Sequence, residues 1–184
     1  DRSSAASDVY KRQMYDITYR KPAPLVRRRD TFEVTERTLY DGSIKTPLDL
    51  ADAERVAHAI AEGGYDAVAV GFLHSYANPE NEITMGEVLA QIAPSVEVTL
   101  SHELSREYRE YERTSTAVLD AYIKPIVRRY LRELSDELTD GNFDGRFLMS
   151  RSGGGAMTAQ AAAEQPVNLI PVSYTHLTLP TSDL

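Results

Sequence analysis

The chain has 184 residues, of which 42% are hydrophobic and 26% are charged, and its formal net charge is -8. This balance is typical of a folded globular protein and excludes a disordered chain. The absence of cysteine excludes disulfides and thiolate metal sites. The acidic charge argues against a nucleic-acid partner. No apolar run approaches the roughly 20 residues that a membrane-spanning helix needs.

Two terminal segments, residues 1–13 and 171–184, resemble translated adaptor sequence more than natural protein. The stretch from Ser3 to Gln13 and the stretch from Val172 to Thr181 correspond to one transposase adaptor, translated in opposite orientations. Added segments of this kind do not belong to a fold. We therefore expect the natural sequence to run from about Met14 to Ile170, as a piece of a longer protein, and both flanks to pack poorly.

The first part of the natural sequence has the pattern of a strand, a turn and a helix. Residues 31–36 alternate between polar and apolar, which predicts a strand with one buried face. Asp41-Gly42-Ser43 predicts a turn. Asp49 can cap a helix from about Leu50 to Glu62. That helix would end at Gly63-Gly64, and its inner face would be formed by Val56, Ala57, Ile60 and Ala61.

Two further strands are separated by a second helix. Residues 66–73 form a continuous apolar run, which is typical of a strand covered on both faces. A helix would begin at Asn78-Pro79-Glu80 and run to about Ile92, since proline is favoured in the first turn. Residues 96–100 predict the next strand. This alternation of helices and strands favours an α/β fold with parallel strands.

Polar residues follow both of these strands. They are His74-Ser75-Tyr76 after the first and Ser101-His102-Glu103 after the second. Ligands gather at this edge of parallel sheets, so either histidine could act as an acid or a base. Neither has a visible partner, and a positional role is favoured. The histidines show no metal-ligand spacing, so no metal site is predicted.

A long helical pattern occupies the middle of the chain, from about Arg106 to Leu138. Pro125 predicts a kink or a break near Ala121 and Tyr122, and Asp140-Gly141 would end the helix. Apolar residues recur every four positions and predict a buried stripe formed by Val118, Tyr122, Ile126, Tyr130, Leu134 and Leu138.

The start of this helix is unusually polar, with the sequence Glu112-Arg113-Thr114-Ser115-Thr116. Hydroxyl side chains disfavour helix interiors and favour caps and turns. One interpretation is a Glu112–Arg113 ion pair with Thr114 or Ser115 as a cap, which the spacing favours. The other is a cleft in which Arg113 binds a phosphate or a carboxylate. These five residues are the candidate cleft residues.

A glycine loop follows the long helix. A strand at residues 146–149 leads to Ser152, Gly153, Gly154 and Gly155, and then to a helix from about Thr158 to Glu164. This order would allow backbone amides to approach an anion at a helix N-terminus. A plain tight turn is the simpler interpretation, which the residues alone favour. The loop is the second candidate site, on the substrate or phosphate side.

Four motifs in this order resemble the hydantoinase A/5-oxoprolinase family. They are residues 72–82, residues 109–116, Ala121-Tyr122 with Pro125, and residues 152–155. The resemblance implies part of an actin-like ATPase fold. Residues 14–105 would be the end of the family's N-terminal domain, and residues 106–170 the start of its hydantoinase A domain.

The resemblance also implies a function. Family members use ATP and magnesium to open cyclic amides, such as 5-oxoproline or hydantoins, by phosphorylating the ring carbonyl. A second, hydantoinase B-type subunit or domain often takes part. A cytoplasmic parent enzyme of this kind is the first expectation. A subunit of an acetone or acetophenone carboxylase is one alternative, and a non-catalytic assembly segment is the other.

The sequence departs from the family pattern in ways that bear on activity. The family's phosphate loops are missing, so we expect the chain by itself to be inactive, and no catalytic residue can be assigned. Gly153 stands where the family motif has an asparagine, which removes a possible polar contact to substrate. Asp120 stands where an asparagine is common.

Overall fold

The computed structural model describes residues 25–170. The chain divides into two units, residues 1–30 and residues 31–184, and the described part of the first contains only a 3-10 turn at Arg28–Asp30. The expectations for residues 1–13 and 171–184 lie outside the described residues. No helix in the described range is both long and apolar enough to cross a membrane.

The second unit begins with an extended segment that pairs with no strand among the described residues. Residues 31–36 were predicted to form a strand, and this is wrong. The alternation that suggested it is real, because Phe32 and Val34 are partly buried against the core. A one-sided apolar pattern thus reports burial of one face, which does not require hydrogen bonds to a neighbouring strand.

An antiparallel hairpin follows, formed by β1 (Arg37–Thr38) and β2 (Ile44–Thr46). The predicted turn at Asp41-Gly42-Ser43 joins these strands and is confirmed. Asp41 accepts hydrogen bonds from the backbone amide and hydroxyl of Ser43. Gly42 has a φ of 84°, which favours glycine.

Helix α1 (Leu50–Glu62) begins and ends where the sequence predicts. The Asp49 side chain caps it by accepting hydrogen bonds from the amides of Ala51 and Asp52. Ala61 was predicted to face inward but is exposed. Ala53 takes that place, since it lies one turn before Val56 and Ala57 on the same face. The buried residues of α1 are Ala53, Val56, Ala57 and Ile60.

The parallel α/β unit is confirmed. Strand β3 (Ala67–Val70) pairs in parallel with β4 (Glu97–Leu100). Between them runs α2 (Glu80–Ile92), preceded by Pro79 as predicted. The hydrophobic core lies between these elements and α1, and its buried members are Leu48, Ala53, Val56, Ala57, Ile60, Val70, Met85, Leu89, Ala93 and Val96.

A short helix, α3 (Ser101–Leu104), follows β4 and precedes the long helix α4 (Glu110–Asp140). The sequence predicted a kink or a break near Ala121 and Tyr122, and the break is wrong, because α4 is continuous through Pro125. A proline removes one backbone hydrogen bond from a helix, and the packing of α4 against β3, β4 and α3 compensates for that loss. Gly141 ends the helix, as predicted.

The buried face of α4 is not the predicted apolar stripe. Tyr122, Ile126 and Tyr130 are more than half exposed, at 63%, 54% and 56%. Small residues allow the helix to approach the sheet closely, and the charged residues that face inward are satisfied by hydrogen bonds. The buried residues of α4 are Arg113, Ala117, Asp120, Ala121, Lys124 and Leu131.

The last described elements are a second hairpin and a short helix. Strands β5 (Leu148–Ser150) and β6 (Ala156–Thr158) are antiparallel, and α5 (Ala159–Glu164) is capped by the Thr158 hydroxyl. The glycine loop therefore connects two strands and does not lead directly into a helix, so the expected strand–loop–helix order is wrong. A 3-10 turn, Pro166–Leu169, follows.

Candidate functional site

The polar residues at the ends of β3 and β4 meet around the carboxylate of Glu82. Glu82 belongs to the first turn of α2 and is completely buried. Its Oε1 accepts hydrogen bonds from the Phe72 amide (2.8 Å) and the Ser101 hydroxyl (2.6 Å). Its Oε2 lies 3.1 Å from the His102 amide nitrogen and 2.7 Å from His102 Nδ1. Ser75 Oγ lies 3.4 Å from Ser101 Oγ. We call these five residues the Glu82 cluster.

The carboxylate of Glu82 is ionised at neutral pH. Burial on its own raises the pKa of Glu82, but hydrogen bonds from Ser101, the Phe72 amide, His102 and Ser75 outweigh that effect. The pKa therefore lies below its ordinary value. Because an ionised carboxylate can only accept hydrogen bonds, His102 Nδ1 carries the proton between the two groups. Glu82 was not among the residues predicted from the sequence, where the available signal is an acidic residue in the first turn of a helix.

Arg113 belongs to the same network and is 1% exposed. Its Nε donates to the Ser101 hydroxyl (3.1 Å), one Nη to the carbonyl of Glu107 (2.8 Å) and the other to the carbonyl of Phe72 (2.7 Å). The guanidinium also lies over the Tyr76 ring, 5.7 Å from its centroid. All of its nitrogens are thus held by protein groups. The structure places Arg113 as the link between the start of α4 and the end of β3.

The other candidate cleft residues lie in different environments. Thr114 packs against Gly71, where an added Cβ would lie 3.0 Å from the threonine hydroxyl. The Thr116 hydroxyl donates to the carbonyl of Glu112 (2.9 Å) within the helix. Glu112 and Ser115 are exposed, and Glu112 lies 3.4 Å from Arg109.

Both parts of the simpler interpretation of this segment are therefore wrong. The Glu112 carboxylate faces Arg109, so the Glu112–Arg113 ion pair does not form. The residue that precedes the first turn is Arg109, whose side chain makes no capping hydrogen bond. Neither Thr114 nor Ser115 is a cap.

His74 also has partners that the sequence did not reveal. Its Nδ1 lies 3.0 Å from the carbonyl oxygen of Thr38, and its Nε2 lies 3.9 Å from a Glu110 carboxylate oxygen. Its φ of 59° turns the chain from the strand end toward α2. His74 thereby connects the first hairpin to the start of α4.

The asparagines of the 72–82 motif hold the first hairpin in place. Asn78 donates to the carbonyl of Gly42 (2.9 Å). Asn81 donates to the Glu36 carboxylate (2.7 Å) and accepts from the Leu48 amide (3.1 Å). The motif therefore fixes the hairpin on one side and the Glu82 cluster on the other.

A second buried polar cluster lies about two turns beyond Arg113 along α4. Asp120 accepts hydrogen bonds from the Thr99 hydroxyl (3.1 Å) and the Val167 amide (2.9 Å). Lys124 donates to the carbonyl of Val98 and to Thr99 Oγ1, both at 3.1 Å, and lies 3.8 Å from Asp120. Asp120 thus attaches the last described turn to β4 through two separate oxygens.

The glycine loop is open to solvent. A Cβ placed at Gly153, Gly154 or Gly155 would meet no atom within 4 Å, and the last two have φ values of 95° and 85°. The Ser152 amide donates to the carbonyl of Asn168 (2.8 Å). Within residues 25–170, no hydrogen bond joins this loop to the Glu82 cluster.

The described residues contain no cluster of metal-ligating side chains. No group of three or more His, Asp or Glu side chains in residues 25–170 could hold a metal. The buried carboxylate nearest to the strand ends, Glu82, already has both oxygens occupied by protein donors. Glu82 therefore offers no free carboxylate oxygen to a metal ion.

Comparison with known proteins agrees with this architecture. Residues 5–93 match the hydantoinase/oxoprolinase N-terminal region, and residues 113–172 match the hydantoinase/oxoprolinase family. An uncharacterized protein of Methanocaldococcus jannaschii is 40% identical over 158 residues, which is 86% of this chain and 23% of that protein. The acetophenone carboxylase gamma subunit of Aromatoleum aromaticum is 33% identical over 159 residues, which is 83% of this chain and 22% of that subunit.

A solved structure shares the fold. The ATP-dependent caprolactamase from Pseudomonas jessenii superposes with a TM-score of 0.77 at 30% identity, over 89% of this chain and 25% of that one. Similar proteins also include 5-oxoprolinases and an acetone carboxylase subunit. This chain spans about a quarter of the length of the relatives that it matches. Its α/β fold is part of the actin-like ATPase fold of those enzymes, and the chain belongs to the hydantoinase/oxoprolinase family.

Proposed function

We propose that the parent of this chain is an ATP-dependent hydrolase that opens a cyclic amide, such as 5-oxoproline or a hydantoin, after phosphorylation of the ring carbonyl. The observation that carries the proposal is the match of two consecutive family regions on one chain. It is supported by the likeness in fold to an ATP-dependent caprolactamase, since caprolactam is itself a cyclic amide.

The chain's own contribution would be to position groups at the ends of β3 and β4. Glu82 and Arg113 would hold these strand ends rigid, because their polar atoms are used by the protein. The exposed members of the cleft segment, Glu112 and Ser115, and the open glycine loop would face the ligand. Rigid support of a reacting geometry is a recognised source of catalytic rate.

ATP and magnesium would bind largely through other residues of the parent, since this chain spans about a quarter of the length of its relatives. The chain by itself is therefore expected to hydrolyse no ATP. A hydantoinase B-type subunit or domain would complete the enzyme, which we place in the cytoplasm. Relatives named as subunits, such as the caprolactamase subunit alpha of Pseudomonas jessenii, support a partner of this kind.

A carboxylase subunit is the second candidate function. It is favoured by the acetophenone carboxylase gamma subunit, whose 33% identity is no lower than that of the caprolactamase structure. A non-catalytic assembly segment is the third, and the extensive use of Arg113 by protein groups is compatible with it.

The test is ATP turnover by the full-length parent with its partner subunit. ADP release would be measured with 5-oxoproline, hydantoin and caprolactam, and separately with acetone or acetophenone plus bicarbonate. Stimulation by a cyclic amide, with a ring-opened product, is expected. Stimulation by a ketone with bicarbonate alone would support the carboxylase instead, and a parent without any substrate-stimulated turnover would favour the assembly role.

The cleft segment is tested in the same assay. Ser115→Ala should lower kcat/KM for the cyclic amide at unchanged thermal stability, because its side chain is exposed on the proposed ligand side. Ser135→Ala is the matched control, since Ser135 is also an exposed serine of α4. Equal kinetics of the two variants would exclude Ser115 from the ligand site.

A further inference from the structure

His102 has one ring nitrogen that none of residues 25–170 uses. Nδ1 lies 2.7 Å from Glu82 Oε2 and the residue's own amide binds the same oxygen. The ring is therefore fixed by two contacts to one carboxylate. No described residue forms a hydrogen bond with Nε2, and this atom keeps some accessible surface although the residue is only 8% exposed.

A histidine that serves packing alone has no need of this arrangement. The ionised Glu82 fixes the tautomer with the proton on Nδ1, so that Nε2 presents a lone pair. A carboxylate that orients a histidine in this way makes the opposite nitrogen a better acceptor. The charged groups in contact with this network are Glu82 from α2 and Arg113 from α4, which acts through Ser101.

The lone pair lies where parallel strands end, which is where ligands bind in open α/β sheets. A neutral acceptor in such a place selects a ligand with an N–H or O–H donor. We propose that His102 Nε2 accepts a hydrogen bond from the ring N–H of the cyclic amide, and that Glu82 is the residue that positions it. This rests on the proposed function, and it makes His102 a specificity residue for amides that carry a free N–H.

The first test uses the complete chain and needs no ligand. Long-range ¹H–¹⁵N NMR spectra of the histidine rings report which nitrogen carries the proton. For neutral His102 we expect the proton on Nδ1 and an unprotonated Nε2, whereas the exposed His58 should show a mixture. A proton on Nε2 with an unprotonated Nδ1 would overturn the proposal.

The second test uses the full-length parent and compares a cyclic amide with its N-methyl analogue. The ratio of the two kcat/KM values measures the preference for a free N–H. His102→Leu should reduce this ratio about tenfold, as the loss of one hydrogen bond implies. His102→Gln, whose side-chain carbonyl is still an acceptor, should retain part of it, and His58→Leu should leave it unchanged.

The outcomes separate this proposal from the proposed function. Turnover of cyclic amides with the same ratio in wild type and His102→Leu would overturn the role of His102 and leave the function intact. A parent that turns over no cyclic amide would overturn the function, and the ligand assigned to His102 with it.

Discussion

Replacement of Arg113 by alanine should destabilise the fold severely. The substitution removes a cation that is 1% exposed and three donors, which leaves the carbonyls of Phe72 and Glu107 and the hydroxyl of Ser101 without this partner. A hydrogen bond from a charged group contributes about 1.5–3 kcal/mol, and removal of one member of a buried charged network costs about 3–5 kcal/mol. Because these contributions are not additive, we expect a loss of about 3–5 kcal/mol, a large share of the 5–15 kcal/mol that is typical of a domain.

The assay is urea unfolding of the complete chain followed by far-UV circular dichroism, since the sequence has no tryptophan. The matched control is Arg109→Ala, because Arg109 is an exposed arginine that immediately precedes the same helix. The unfolding midpoint should fall strongly for Arg113→Ala and stay close to wild type for Arg109→Ala. Equal midpoints for the two variants would refute the structural role assigned to the buried guanidinium.

Three further predictions concern Glu82, Pro125 and the buried face of α4. Hydrogen bonds keep the pKa of Glu82 below its value in the unfolded chain; its ionised form therefore stabilises the fold at higher pH, and this contribution is lost on acidification below about pH 4. Glu82→Gln should therefore show a weaker fall in Tm between pH 6 and pH 3 than wild type, and parallel curves would contradict this. Pro125→Ala should raise Tm, because it restores a helix hydrogen bond worth on the order of 1–3 kcal/mol; a lower Tm would show that the ring's packing outweighs it. Leu131→Ala, at 3% exposure, should cost about 2–5 kcal/mol, whereas Ile126→Ala, at 54% exposure, should change the free energy of unfolding by less than about 0.5 kcal/mol. A larger loss of unfolding free energy for Ile126→Ala than for Leu131→Ala would instead support the buried apolar stripe predicted from the sequence.

Local signals in the sequence predicted much of the α/β unit. Helix ends were predicted correctly because they depend on the chemistry of single residues. Examples are the cap at Asp49, the glycines Gly63-Gly64 and the helix start at Pro79. The parallel pairing of β3 with β4 followed from the intervening helix. The alternation over residues 31–36 failed as a strand, because periodicity reports burial and not pairing.

The long helix shows why burial could not be read from periodicity. Arg113, Asp120 and Lys124 are buried because β3, β4 and the last turn supply hydrogen-bond partners from distant positions in the sequence. Those partners cannot be recognised from the helix sequence itself. Tyr122 and Ile126 are exposed because they lie outside the face of α4 that packs against the strands.

The sequence showed polar residues after two strands but did not reveal their hydrogen-bond partners. The strand-end residues around Ser75 and Ser101 do converge. The acid that organises them, Glu82, comes from a helix 19 residues before Ser101, and its function depends on contacts that only folding creates. His102 appeared to lack a partner for the same reason.

The central claim is that this chain belongs to an enzyme that couples ATP to the opening of a cyclic amide. Its most direct test is the stoichiometry of ADP and ring-opened product formed by the full-length parent with its partner subunit, followed over time with 5-oxoproline, hydantoin or caprolactam as substrate. We predict that the two products appear in equal amounts and that neither forms when the cyclic amide is omitted. Ring opening without ATP, or ADP formation that does not depend on the cyclic amide, would contradict the account.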